Sequence, residues 1–184
     1  MVDADYMDRA LFLAERGRGR TSPNPMVGAV VVSPDGVVVG QGFHERAGEP
    51  HAEVHALAGA GARARGATLY CTLEPCCHVG RTPPCVGRIV EAGVARVVAA
   101  IEDPNPFVQG RGFAYLRAHA VDVQVGLAVD AAVRLNRPFF TLMRQKRPFV
   151  VLKVATSLDG RIAEGPGLRT ELTSAGTSAR PRAH

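Results

Sequence analysis

Apolar residues recur along the chain at two spacings. Met7, Ala10, Leu11 and Ala14 fall at helical intervals and predict a helix over Asp5–Arg16, ending near Gly17. Two β-branched runs, "AVVV" (Ala29–Val32) and "VVVGQGF" (Val37–Phe43), flank the turn sequence "SPDG" and predict a hairpin with buried strands. "HAEVHALAGAGARA" returns to helical spacing, with Ala52, His55, Ala56 and Ala60 as its expected inner stripe. "ATLYCTLEP" and "ARVVAAIED" read as strands, separated by "PPCVGRIVEAGV", which opens on prolines and closes near Gly93 as helices do. "GFAYLRAHA" predicts a helix, "VDVQVGL" a strand, and "AVDAAVRLNRPFFTLMRQK" a helix bent or divided at Pro138. Strands alternating with helices indicate an α/β sheet covered on both faces.

Beyond Arg147 the character changes. Phe149–Ala155 reads as one more strand. The rest, "EGPGLRTELTSAGTSARPRAH", has little to bury and is expected to be mobile. The expected division is therefore 1–147 and 148–184.

The 184 residues suffice for one full domain. No apolar run approaches the roughly 20 residues that span a bilayer. "MVDADYMDRA" is acidic and lacks an apolar signal core, so a cytoplasmic location is expected. The formal charge of +5 is spread along the chain, aromatic residues make up 5% and Trp is absent. That combination argues against a nucleic-acid stacking surface, while a small anionic ligand remains compatible.

The four cysteines carry more information. In a reducing compartment a cysteine cluster reads first as metal binding or catalysis. His51 precedes a predicted helix, Cys76 follows a strand, and Cys85 opens the next helix. Helix N-termini favour negative charge and lower thiol pKa values. Three protein ligands with one open position form the pattern of a catalytic zinc site, where a bound water becomes acidic near neutral pH. Glu53 is placed to take that water's proton. Cys77 is too close to Cys76 for both to bind one metal easily, and Cys71 and His55 read as packing residues.

His51-Ala52-Glu53 with Pro75-Cys76 follows the H-x-E, P-C signature of zinc deaminases, but the next usable thiol is Cys85, so the loop is longer than the short motif. "TLEPCCHVGRTPPC", with "PNPMVGAVVV", "GFHERAGEPHAE" and "EDPNPFVQGRG", resembles the deaminase domain of the bifunctional riboflavin-biosynthesis deaminase/reductase family. The resemblance covers nearly all of residues 1 to 147. It implies a cytidine-deaminase-like three-layer α/β/α fold with a mixed central sheet. It implies zinc on His51, Cys76 and Cys85, with Glu53 as the proton carrier. Asn24 and His44 would line the pyrimidine pocket, and His78 and Arg81 would face the substrate, Arg81 at its 5′-phosphate. Asp103 and Asn105 would contact the ribose, although "DPNP" is also a good turn sequence by itself.

The implied reaction is hydrolytic deamination of 2,5-diamino-6-ribosylamino-4(3H)-pyrimidinone 5′-phosphate. "RPFVVLKVATSLDGRIA" is similar to the opening of that family's reductase domain, but no Gly-rich dinucleotide fingerprint follows. Reductase activity is expected to be absent. By analogy with deaminases of this fold, at least a homodimer is expected, with no nucleic-acid or membrane partner. The alternatives are a zinc deaminase of another small pyrimidine or purine-like substrate, and a non-catalytic zinc-binding remnant.

Overall fold

The computed structural model describes residues 2–77 and 84–167. Contacts divide the chain into two units, Met1–Pro148 and Phe149–His184.

In the first unit the elements run α1 (Asp3–Glu15), β1 (Gly28–Val32), β2 (Val38–Phe43), α2 (Ala52–Ala60), β3 (Thr68–Cys71), α3 (Cys85–Glu91), β4 (Arg96–Ala99), α4 (Arg111–Ala118), β5 (Asp122–Val125), α5 (Val129–Leu135) and α6 (Arg137–Gln145). A short 3-10 turn, Gly61–Ala64, extends α2. The strands form one sheet in the order β2-β1-β3-β4-β5. The β1–β2 hairpin and the β1–β3 pair are antiparallel, while β3–β4 and β4–β5 are parallel, so the sheet is mixed as expected.

Strand alternation sorts the core into two layers. Ala29, Val31, Leu69, Cys71, Val97 and Ala99 face one side, against Ala56 and Leu57 of α2, Ile89 of α3 and Leu116 of α4. Val30, Val32, Tyr70 and Val98 face the other, against Met7, Ala10 and Leu13 of α1 and Ala132 of α5. This is the three-layer α/β/α arrangement. Two glycines let the helices come this close. A Cβ on Gly28 would lie 2.0 Å from the Ala10 carbonyl oxygen, and one on Gly40 would lie 2.0 Å from that of Ala56.

Two sequence expectations change, at α2 and at Phe149–Ala155, and the expected break in the C-terminal helix takes the divided form. The buried stripe of α2 contains Glu53 and Leu57, and His55 is only half-buried. The long C-terminal helix is divided at Asn136, one residue before the Arg137-Pro138 start of α6, because proline suits a first helical turn and not an interior. Phe149–Ala155, in the second unit, is not a strand. Val150, Val151 and Leu152 are 77%, 75% and 83% exposed, and no strand among the described residues pairs with them. β-branched composition alone does not make a strand without a partner ladder. That unit's described order is a turn in which Ser157 and Arg161 bond to each other through backbone and hydroxyl. No helix among the described residues is long and apolar enough to cross a membrane.

Candidate active site

The C-terminal end of β3 and the N-termini of α2 and α3 meet at one point. His51 is the residue before α2, in extended conformation, and Glu53 lies in the first turn. Cys76 follows β3, and Cys85 is the first residue of α3. The His51 Nδ1 atom lies 3.4 Å from Cys76 Sγ and 3.3 Å from Cys85 Sγ. All three ligand atoms fall within 4.8 Å of one another. A zinc ion held by one nitrogen and two sulfurs at ordinary bond lengths needs donors roughly 3.6 to 3.8 Å apart, so the residues fit such an ion.

Electrostatics favour ligation. The Cys85 backbone N–H, at the start of α3, donates to Cys76 Sγ at 3.4 Å. The Cys85 thiol, followed by His51, holds the Cys76 thiol well below its usual range. Cys85 is itself pushed up, first by Cys76 and then by burial. A thiol at Cys76 that loses its proton readily, beside His51 and Cys85, is a ready cation ligand. The hydrogen bond to Cys76 raises the His51 pKa.

Glu53 is 3% exposed, and its Oε2 has no hydrogen-bond partner among the described residues. Burial, then the negative Cys76, pushes its pKa up to about 7 in the metal-free chain. An orphaned buried carboxylate oxygen is costly unless a ligand or water satisfies it.

A cavity of about 420 Å³ opens over this cluster. That size suits a small nucleotide-like ligand. Asn24, His44, His51, Glu53, Cys76, Asp103 and Asn105 all line it. Cys85 completes the metal cluster. His78 and Arg81 lie outside the described residues.

His44 is 2% exposed and contacts two neighbours. Its Nδ1 lies 3.2 Å from the Pro50 carbonyl oxygen and its Nε2 lies 3.1 Å from Asn24 Nδ2. A carbonyl can only accept, so Nδ1 carries the proton and Nε2 accepts from the Asn24 amide. Burial lowers the His44 pKa, which keeps this neutral tautomer.

Asp103 and Asn105 build turns: Asp103 Oδ1 accepts from Asn105 N at 2.8 Å, and Asn105 Oδ1 accepts from Phe107 N at 3.1 Å. Asp103 Oδ2 and Asn105 Nδ2 are the atoms these turns do not use. Burial raises the Asp103 pKa to about 6 from 3.8. The folded chain thus holds the proton more tightly than the unfolded one. Asp103's contribution is most favourable below about pH 3.8 and is lost as pH rises through about 6. In metal-free protein, Asp103→Asn should therefore gain stability over wild type, by on the order of 2 kcal/mol, between pH 4 and pH 7. Urea unfolding at both pH values checks this, and a constant gap would contradict it.

Sequence patterning did not single out the contribution of the α5–α6 region. Phe139 of α6 lines the cavity. Asn136, 3% exposed, pairs with the Met26 backbone: its Oδ1 accepts from N at 2.8 Å and its Nδ2 donates to O at 2.8 Å. This ties the α5–α6 junction to the Pro23–Val27 segment that carries Asn24. The only sequence sign was the helix break at "LNRP".

The family model for the cytidine and deoxycytidylate deaminase zinc-binding region matches residues 1–101. The Escherichia coli riboflavin biosynthesis protein RibD is 55% identical over 174 residues, covering 95% of this chain and 47% of its own. The solved Acinetobacter baumannii RibD superposes with a TM-score of 0.91 at 48% identity, over 96% of this chain and 49% of that one. A Thermotoga maritima structure described as a diaminohydroxyphosphoribosylaminopyrimidine deaminase/5-amino-6-(5-phosphoribosylamino)uracil reductase gives 0.86 at 43% identity, over 93% and 49%. The chain thus spans about half the length of the relatives it matches. With the family match running over more than half of its 184 residues, through His51, Glu53, Cys76 and Cys85, this chain belongs to the cytidine and deoxycytidylate deaminase zinc-binding family.

Proposed function

We propose that the chain hydrolyses the 2-amino group from 2,5-diamino-6-ribosylamino-4(3H)-pyrimidinone 5′-phosphate, giving 5-amino-6-ribosylaminouracil 5′-phosphate and ammonia. The observation that carries the proposal is the orphaned Glu53 Oε2, buried beside His51, Cys76 and Cys85 at the floor of the cavity.

His51, Cys76 and Cys85 would hold zinc, which supplies Lewis-acid activation of the attacking water. Glu53 takes the proton that water loses and delivers it to the ring nitrogen next to the amino-bearing carbon. It then carries a second proton, from the added hydroxyl, to the departing amine. The carbon–nitrogen bond breaks, the carbonyl forms and ammonia leaves. A buried carboxyl with one unpaired oxygen beside the metal ligands is placed for both steps. The His44 tautomer holds the Asn24 amide nitrogen, so Asn24 Oδ1 is the atom that accepts from a ring N–H. Asp103 and Asn105 meet the ribosyl hydroxyls, and Arg81, supported by the resemblance alone, meets the phosphate. Phe139 covers an apolar wall. The working form is at least a homodimer in the cytoplasm.

The test compares the phosphorylated substrate with its dephosphorylated nucleoside. Losing a charge-assisted phosphate contact should lower kcat/KM about 100-fold, mainly through KM. Equal values would favour the alternative of a different small substrate.

A further inference from the structure

The catalytic proposal leaves one buried carboxylate without a task. Glu74, 3% exposed, stands two residues before Cys76, and its own N–H donates to the Ile101 carbonyl at 3.0 Å. Its side chain accepts four backbone N–H groups. Oε2 takes Asp103 at 3.1 Å and Gly110 at 2.9 Å, while Oε1 takes Gly112 at 2.9 Å and Phe113 at 3.3 Å. These four amides bracket the loop between β4 and α4 that carries Asp103 and Asn105 onto the cavity wall. The backbone contact is equally tight. A Cβ on Gly112 would lie 2.2 Å from the carbonyl oxygen of Pro75, the residue joined to Cys76.

A helix cap explains Gly112 and Phe113, in the first turn of α4, and Gly110, its N-cap residue. The bond to Asp103 lies well before that helix and holds the far end of the loop to the same carboxylate. We infer that Glu74 is a positioning residue, locking the loop of Asp103 and Asn105 to the loop of Cys76 and so setting the distance between ribosyl contacts and reacting centre. The inference rests on the proposed roles of Asp103 and Asn105. Both side-chain oxygens of Glu74 act as acceptors, each for two N–H groups. A glutamine turns an NH₂ group toward two of the four amides, leaving them unpaired.

The experiment is Glu74→Gln, with zinc content, kcat and KM measured beside wild type. Zinc should stay at the wild-type level, KM should rise about tenfold, and kcat should change less than about threefold. An unchanged KM with a lowered Tm would make Glu74 a stabilising staple only, and loss of zinc would make it a support of the metal loop; either overturns the inference. If Glu74→Gln does not fold, Gly112→Ala supplies the same reading. Its Cβ would press on the Pro75 carbonyl oxygen and lie 3.1 Å from Glu74 Oε1, forcing the two loops apart, and it too must raise KM. Hydrogen exchange separates failure here from failure of the proposed substrate, because it needs none. In zinc-loaded Glu74→Gln (or Gly112→Ala) the amide of Asp103 should exchange about tenfold faster than in wild type. Acceleration confined to Gly110, Gly112 and Phe113 would leave a helix cap and overturn the positioning role, even if wild type proves inactive on the diaminopyrimidinone.

Discussion

Replacing Glu53 with glutamine should abolish turnover and leave the metal in place. The side chain is enclosed in the first turn of α2, and glutamine matches its shape. What glutamine lacks is the ability to take a proton from water and return it to the ring and the amine. Positioned general acid–base groups contribute about 10²- to 10⁴-fold, and Glu53 is asked to act twice in each cycle, so the upper end of that range or a larger loss is expected. His51, Cys76 and Cys85 are untouched, so zinc per chain should match wild type. The measurement pairs steady-state ammonia release with metal analysis of the same sample. Loss of both zinc and turnover would make Glu53 a structural support of the site. Retained turnover would remove it from the mechanism.

Replacing Cys85 with serine should strip the metal. Cys85 is 1% exposed and its sulfur lies 3.3 Å from His51 Nδ1. A serine hydroxyl keeps its proton at neutral pH and is a poor zinc ligand beside a thiolate. Changes in the groups around metal ligands already cost about 10- to 100-fold in affinity, so loss of a ligand itself should exceed about 100-fold. Binding to the folded state alone also stabilises it, so wild-type Tm should fall on chelation. The Cys85→Ser Tm should not respond to chelator. Cys77→Ser is the control. Its Sγ faces the Phe107 carbonyl oxygen at 3.9 Å, and it stands outside the three-ligand cluster. Zinc bound by Cys85→Ser at wild-type affinity, or lost from Cys77→Ser, would mean that the ligand set is wrong.

Much of this was legible in the sequence because local rules govern it. The "SPDG" turn fixes the β1–β2 hairpin, and the prolines before Cys85 fix the start of α3. Helix starts at Ala52 and Cys85 then bring His51, Glu53 and Cys85 to a common edge. What stayed hidden depends on contacts distant in sequence. The Asn136–Met26 pair spans 110 residues, and Glu74 reaches Phe113 across 39. Neither side chain differs in type from an ordinary surface residue. His44 is another such case: the tautomer that orients the Asn24 amide follows only from Pro50 and Asn24 standing on opposite ring nitrogens. The error at Phe149–Ala155 is the reverse. Its composition favours a strand, and no ladder is present among the described residues to pair it.

The decisive measurement is ammonia release by the zinc-loaded chain from the diaminopyrimidinone ribosyl phosphate, with cytidine and guanine run beside it and no nicotinamide cofactor added. Steady turnover of the phosphate alone, with one uracil-type product formed per ammonia, is the predicted result. No release from any of the three by protein that demonstrably holds zinc would contradict it.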